Sequence, residues 1–147
     1  MYERSLNDLM SRELITCAVS TPVEQVMQRL IDHTIHAIVV VDEAGYAIGV
    51  VSQTDVLQAQ HRLLMPHDEI LTAGDIMSPH VITCDAHATL LEAVTLMTRN
   101  HIHRLVVAKT NSCPVYPLGI VSMTDIIRSL IKDKTTAPPP LCWQRIS

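Results

Sequence analysis

Phenylalanine is absent from the 147 residues, and aromatics amount to only 3%. A core must therefore be built from Val, Ile, Leu, Met and Ala, which favours strands and helices stacked in layers. Positive charge is also scarce: 11 Lys and Arg stand against 15 Asp and Glu, the net charge is −4, and the basic residues are scattered. That argues against a nucleic-acid partner, which needs a positive field to displace phosphate counterions. No apolar run approaches the roughly 18 residues that cross a bilayer, and Met1–Ser5 lacks the charged-then-apolar layout of a secretory signal. The expected setting is cytoplasmic, without membrane contact. Cys17, Cys84, Cys113 and Cys142 form no CxxC pair and no zinc-ligand spacing, so reduced thiols are expected. Apolar residues make up 48% of the chain, enough for one ordinary core burying about 70% of the unfolded surface.

What the chain does contain is an internal repeat. Asp8-Leu9-Met10-Ser11 returns as Asp75-Ile76-Met77-Ser78, and Ile15-Thr16-Cys17 returns as Ile82-Thr83-Cys84, both at an offset of 67. The register holds through Ile35-His36 and Ile102-His103, then slips to 70. Gly49-Val50-Val51-Ser52-Gln53-Thr54-Asp55 matches Gly119-Ile120-Val121-Ser122-Met123-Thr124-Asp125. The slip comes from three extra residues in the preceding turn, where surface insertions are tolerated. Two units are expected, 6–64 and 72–133, with a short polar linker at 65–71 and an extended or disordered tail at 134–147.

Each copy reads as β-α-β-β-α. A helical turn at Asp-hydrophobic-Met-Ser leads to a brief strand, Leu14–Thr16 or Val81–Thr83. Val23, Val26, Met27, Leu30 and Ile31 then mark the buried face of a helix that Pro22 opens as first residue, repeated by Leu90, Leu91, Val94 and Met97. Ala37–Val41 and Arg104–Val107 are continuous apolar runs, expected to be buried on both faces. Ala47–Ser52 returns as the second arm of a hairpin, and a last helix starts at the Ser/Thr/Asp cluster.

The chemistry gathers at that cluster. Gly-hydrophobic-hydrophobic-Ser-x-Thr-Asp crosses from strand to helix twice, and the first amides of a helix form a ready site for a phosphate. Ser52, Thr54, Ser122 and Thr124 offer hydroxyls, and ionised Asp55 or Asp125 suits the two donors of a ribose diol. The same residues are also the preferred helix caps, so one copy alone is better explained by capping.

Two matched copies in the same frame resemble the CBS-domain family, the tandem module named after cystathionine β-synthase, over about residues 6 to 133. The resemblance implies two motifs packed through their sheets into a pseudo-twofold disc with two clefts, discs that pair into homodimers, and a ligand such as AMP, ADP, ATP or S-adenosylmethionine. By position it assigns ribose hydroxyls to Asp55 and Asp125. It places Ser52, Thr54, Ser122 and Thr124 near ribose and phosphate, and backbone at Ile15, Thr16, Cys17, Ile82, Thr83 and Cys84 at the adenine edge. The copies differ at His103-Arg104 against His36-Ala37. An Arg grips phosphate through its planar fork and Ala cannot, so the second cleft is expected to be the better phosphate site.

Other signals are weaker. His101-x-His103 has no third ligand nearby in sequence, so no metal is expected, and His36 and His103 suit a packing or ligand-edge role shared by both copies. Cys17 and Cys84 match by position without an adjoining base, so packing explains them better than nucleophilic chemistry. The expected function is a non-catalytic regulatory module that signals to an unnamed partner protein. The alternative is a dimerisation scaffold without a nucleotide, and an enzyme would need an acid-base pair or activated nucleophile that is missing. Trp143 in the tail is either incidental or a dock onto a neighbouring subunit.

Overall fold

The computed structural model describes residues 4–63, 70–79, 81–109 and 114–134. Most of the expected linker, the tail beyond Lys134 with Trp143, and Cys113 and Cys142 lie outside the described residues.

Two three-stranded sheets carry the repeat. In the first, β1 (Thr16–Ala18) runs parallel to β2 (Ala37–Val41), which pairs antiparallel with β3 (Ala47–Ser52). In the second, β4 (Thr83–Asp85), β5 (Arg104–Ala108) and β6 (Pro117–Ser122) repeat that order and register. The first strand of each copy starts two residues later than expected, because the parallel ladder begins at Thr16↔Val39 and Thr83↔Val106.

The helices fill the outer layer. On α1 (Val23–Asp32), Val23, Val26 and Leu30 are buried, and on α4 (Leu90–Asn100), Leu90, Ala93 and Met97 are. Ile31, Leu91 and Val94, expected inside, are 71%, 57% and 36% exposed. The cause is the 3.6-residue turn: a stripe through 90, 93 and 97 rotates positions 91 and 94 off the core. Pro22 is the N-cap with ψ 144° rather than the first helical residue. In the second copy Thr89 and Glu92 form a reciprocal capping box at 3.2 and 3.0 Å. The closing helices are α2 (Gln53–Leu63) and α5 (Met123–Lys134), with the single turn α3 (Ala73–Ile76) between the copies.

Cys17, Val26, Leu30, Ile38, Val40 and Val51 pack under α1, and Cys84, Leu90, Met97, Leu105, Val107 and Val121 pack under α4. The other sheet faces meet each other through Val39, Ala47 and Val106, flanked by Val50 and Ile120. The layers run helix, sheet, sheet, helix, as the period-two burial of β3 and β6 requires. This is a tandem pair of β-α-β-β-α units joined through their sheets.

The copies are also cross-stitched. The turn Leu6–Asp8 belongs to the second copy's core: Leu6 is fully buried there, and the Leu6 and Asn7 amides donate to the Ala88 and Ala86 carbonyls at 3.0 and 2.8 Å. Ala73 and Gly74 repeat this on the first copy, donating to Thr21 and Val19 at 2.8 and 2.9 Å. Ser11 then bridges to Ile120 of β6, and Ser78 to Val50 of β3. Among the described residues no helix is long and apolar enough to cross a membrane.

Candidate functional site

The Ser-x-x-Asp segments are helix caps in both copies. Asp55 Oδ2 accepts from the Ser52 amide at 2.8 Å and the Ser52 hydroxyl at 2.9 Å, while the Asp55 amide returns a bond to Ser52 Oγ at 3.3 Å. Asp125 Oδ2 accepts from the Ser122 amide at 2.9 Å, and the Asp125 amide donates to Ser122 Oγ at 3.1 Å. The amides of Gln53 and Met123 donate to the His36 and His103 carbonyls at 3.0 and 2.9 Å. These start-of-helix amides are therefore engaged internally, a correction to the open amide cradle expected of each helix start. What the cap leaves over is the second carboxylate oxygen, Oδ1, on each Asp.

Each of these Asp residues lines a cleft, and each cleft is built from both copies. Asp125, Ser122 and Thr124 line one with Ile15, His36 and Ala37 of the first copy. Asp55 and Ser52 line the other with Ile82, His103 and Arg104 of the second. The crossing follows from the sheet-to-sheet packing, which turns the helix start of one copy toward the first strand of the other. Both clefts hold about 240 Å³.

Not every expected residue arrives. Thr54 and Thr124 are both exposed, but Thr54 lies outside the lining of its cleft while Thr124 lines the other. Thr16, Cys17, Thr83 and Cys84 also line neither inter-repeat cleft. Cys17 and Cys84 point into the helix-side cores, because alternate residues of a strand face opposite ways. Thr83 and Cys84 line a separate surface groove against α4 with Leu91 and Thr95. Burial pushes both thiols above their ordinary pKa, which leaves them poor nucleophiles.

Other residues enter that the motif did not identify. Ser11 and Ser78, the ends of the Asp-x-Met-Ser segments, line the clefts beside Asp125 and Asp55 respectively. Their exact repetition was the available signal. Arg128 lines the Asp125 cleft from one turn further along α5, an i+3 relation readable in advance. Thr34 and His101 close α1 and α4 with φ of 52° and line opposite clefts. His101 and His103 reach the same cleft, but among the described residues no three His, Cys, Asp or Glu side chains gather as a metal site.

Arg104 occupies a distinct position. It starts β5 on the face shared with Val106, between the sheets, and it lines both clefts. It is half-buried, desolvation holds its guanidinium below the ordinary value, and its side chain makes no hydrogen bond or ion pair among the described residues. Arg104 thus stands on the wall of both the Asp55 and the Asp125 cleft.

Known proteins share the sequence repeat and the fold. The chain is 28% identical over 125 residues to 5'-AMP-activated protein kinase subunit gamma-3 of Bos taurus, across 82% of this chain and 24% of that protein. It therefore spans about a quarter of that relative's length. The CBS domain pair of protein MJ0100, solved with 5'-methylthioadenosine and S-adenosyl-L-methionine, superposes with a TM-score of 0.78 at 25% identity, covering 89% of this chain and 98% of that one. CBSX2 in complex with AMP superposes at 0.71 with 22% identity over 88% and 98% of the two chains, a likeness of fold. The CBS domain profile matches residues 6–62 and 73–132, so the chain belongs to the CBS-domain family as a tandem pair.

Proposed function

We propose that this chain is a non-catalytic sensor that binds an adenosine-containing ligand (AMP, ADP, ATP or S-adenosylmethionine) between its two copies and reports occupancy to a partner protein. The observation that carries this is the pair of crossed clefts, each offering an Asp carboxylate oxygen that its helix cap does not use. That oxygen suits a ribose diol, and apolar Ile15 or Ile82 opposite it offers a wall for a flat base. Adenosine ligands in MJ0100 and CBSX2, and the 5'-AMP-activated protein kinase subunit among the relatives, support the same reading. Signalling requires the ligand to favour one arrangement of the copies over another.

A ligand that binds only the folded form raises its stability by mass action. At about one hundred times Kd this is worth roughly 2.7 kcal/mol, or a rise in Tm of about 5–10 °C for a chain of this size. AMP, ATP and S-adenosylmethionine are the ligands to screen. A flat response to all three leaves the scaffold reading instead.

Homodimerisation is proposed as well, through the second copy's helices. Leu91 and Val94 on α4 and Ile127 and Ile131 on α5 are exposed, where the first copy has Glu24, Met27, Leu57 and His61. Leu91→Glu with Ile127→Lys is expected to convert a dimer to monomers in sedimentation equilibrium. A wild-type monomer at micromolar concentration contradicts the pairing.

A further inference from the structure

Arg104 is a half-buried cation on the wall common to both clefts, and among the described residues nothing neutralises it or accepts its hydrogen bonds. Buried arginine without an acceptor is costly, since desolvation is not repaid. The residue at the same place in the first copy is Ala37, which carries no charge and lines only the Asp125 cleft. Two clefts of equal volume therefore share one guanidinium on their common wall, and Arg128 adds a second to the Asp125 cleft alone.

Resting on the proposed adenosine site, we infer that the two clefts compete for Arg104, so that a phosphate-bearing ligand in either cleft weakens the binding of a second one in the other. A phosphate in one cleft takes the guanidinium fork and removes the charge-assisted donor that the other cleft shares with it. The second ligand then meets His101 and His103 alone beside Asp55, or Arg128 beside Asp125. An uncharged adenosine ligand makes no claim on the guanidinium, so its two binding events stay independent. The pair of sites thus holds one anionic ligand tightly and leaves the other cleft for a ligand without a phosphate. This is coupling between sites through a single side chain, and it is reciprocal.

The test uses the described chain at full length, with AMP and adenosine as probes in calorimetry. Asp55→Asn and Asp125→Asn each leave one working cleft, and melting curves check that both fold. In wild type, two AMP sites are expected with affinities about 10- to 100-fold apart, the worth of one charge-assisted bond, and two adenosine sites within the statistical factor. Adding Arg104→Ala is expected to weaken AMP about 10- to 100-fold in both single-cleft proteins and to spare adenosine. A loss in only one of the two means a private arginine and overturns the sharing, while the adenosine site stands. Equal, independent AMP sites in wild type overturn it likewise. Absence of heat with both AMP and adenosine sinks the adenosine site itself, and the sharing with it.

Discussion

The Ser78 carbonyl oxygen lies where the side chain of Gly49 would be: a Cβ there would come within 2.9 Å of it. Gly119 meets the Ser11 carbonyl in the same way, at 2.7 Å. Each glycine belongs to the strand that leads into Ser-x-Thr-Asp, and each serine ends the leading segment of the other copy. The glycine of the motif is therefore explained by docking between copies and not by the ligand.

The Met77 and Met10 side chains also crowd these positions, but because a backbone oxygen is in the way at each, relaxation is limited. Gly49→Ala and Gly119→Ala are each expected to destabilise the fold by about 1–3 kcal/mol in urea titration. Stability unchanged in both variants contradicts the cross-stitched packing.

Thr34 and His101 hold φ of 52° at the ends of α1 and α4, where Ile35 and Ile102 donate back to Leu30 and Met97 at 3.0 Å. Glycine is the usual residue for that turn, and the left-handed region costs other residues about 1–2 kcal/mol. Thr34→Gly is expected to raise stability by roughly 0.5–1 kcal/mol, against the usual sign of a substitution to Gly. Both positions line clefts, so a gain in stability with a loss of ligand affinity is the combined outcome to look for.

The repeat made much of the fold legible. Ser52 and Ser122, Asp55 and Asp125, and the hairpin Ala37–Ser52 all sit where periodicity and turn chemistry placed them. Three things escaped for physical reasons. Leu91 and Val94 have the composition of core residues, but composition does not say which side of a helix meets the sheet. The first strands begin late because parallel pairing, a long-range matter, sets their start at Thr16 and Thr83. The crossing of the clefts, and with it the double exposure of Arg104, depends on how two sheets face each other, which a single copy's pattern does not encode.

Cys17 and Cys84 supply a pH prediction. Burial raises both thiols, so the folded protein binds their protons more tightly than the unfolded chain, whose thiols titrate near 8.5. Their contribution to stability is fully present below that unfolded value and is lost as pH rises through the folded one. Stability measured by urea is expected to hold between about pH 7 and 8 and to fall above about pH 9. Cys17→Ala with Cys84→Ala is expected to reduce that alkaline fall. An equal fall in the double variant contradicts the assignment.

Asp55 and Asp125 each cap a helix through Oδ2 and line a cleft. Asp125→Ala is expected to lose about 1 kcal/mol of stability as a cap. It is also expected to weaken an adenosine ligand about 10- to 100-fold at one cleft, a larger effect than loss of the cap alone explains.

The most direct test is a calorimetric titration of AMP, ATP and S-adenosylmethionine into wild type and into the double variant Asp55→Ala, Asp125→Ala, with folding of both verified by melting. The expected result is saturable heat with at least one of the three in wild type and its loss in the double variant. Wild-type protein that gives no heat with any of them, or a double variant that binds as tightly as wild type, contradicts the account.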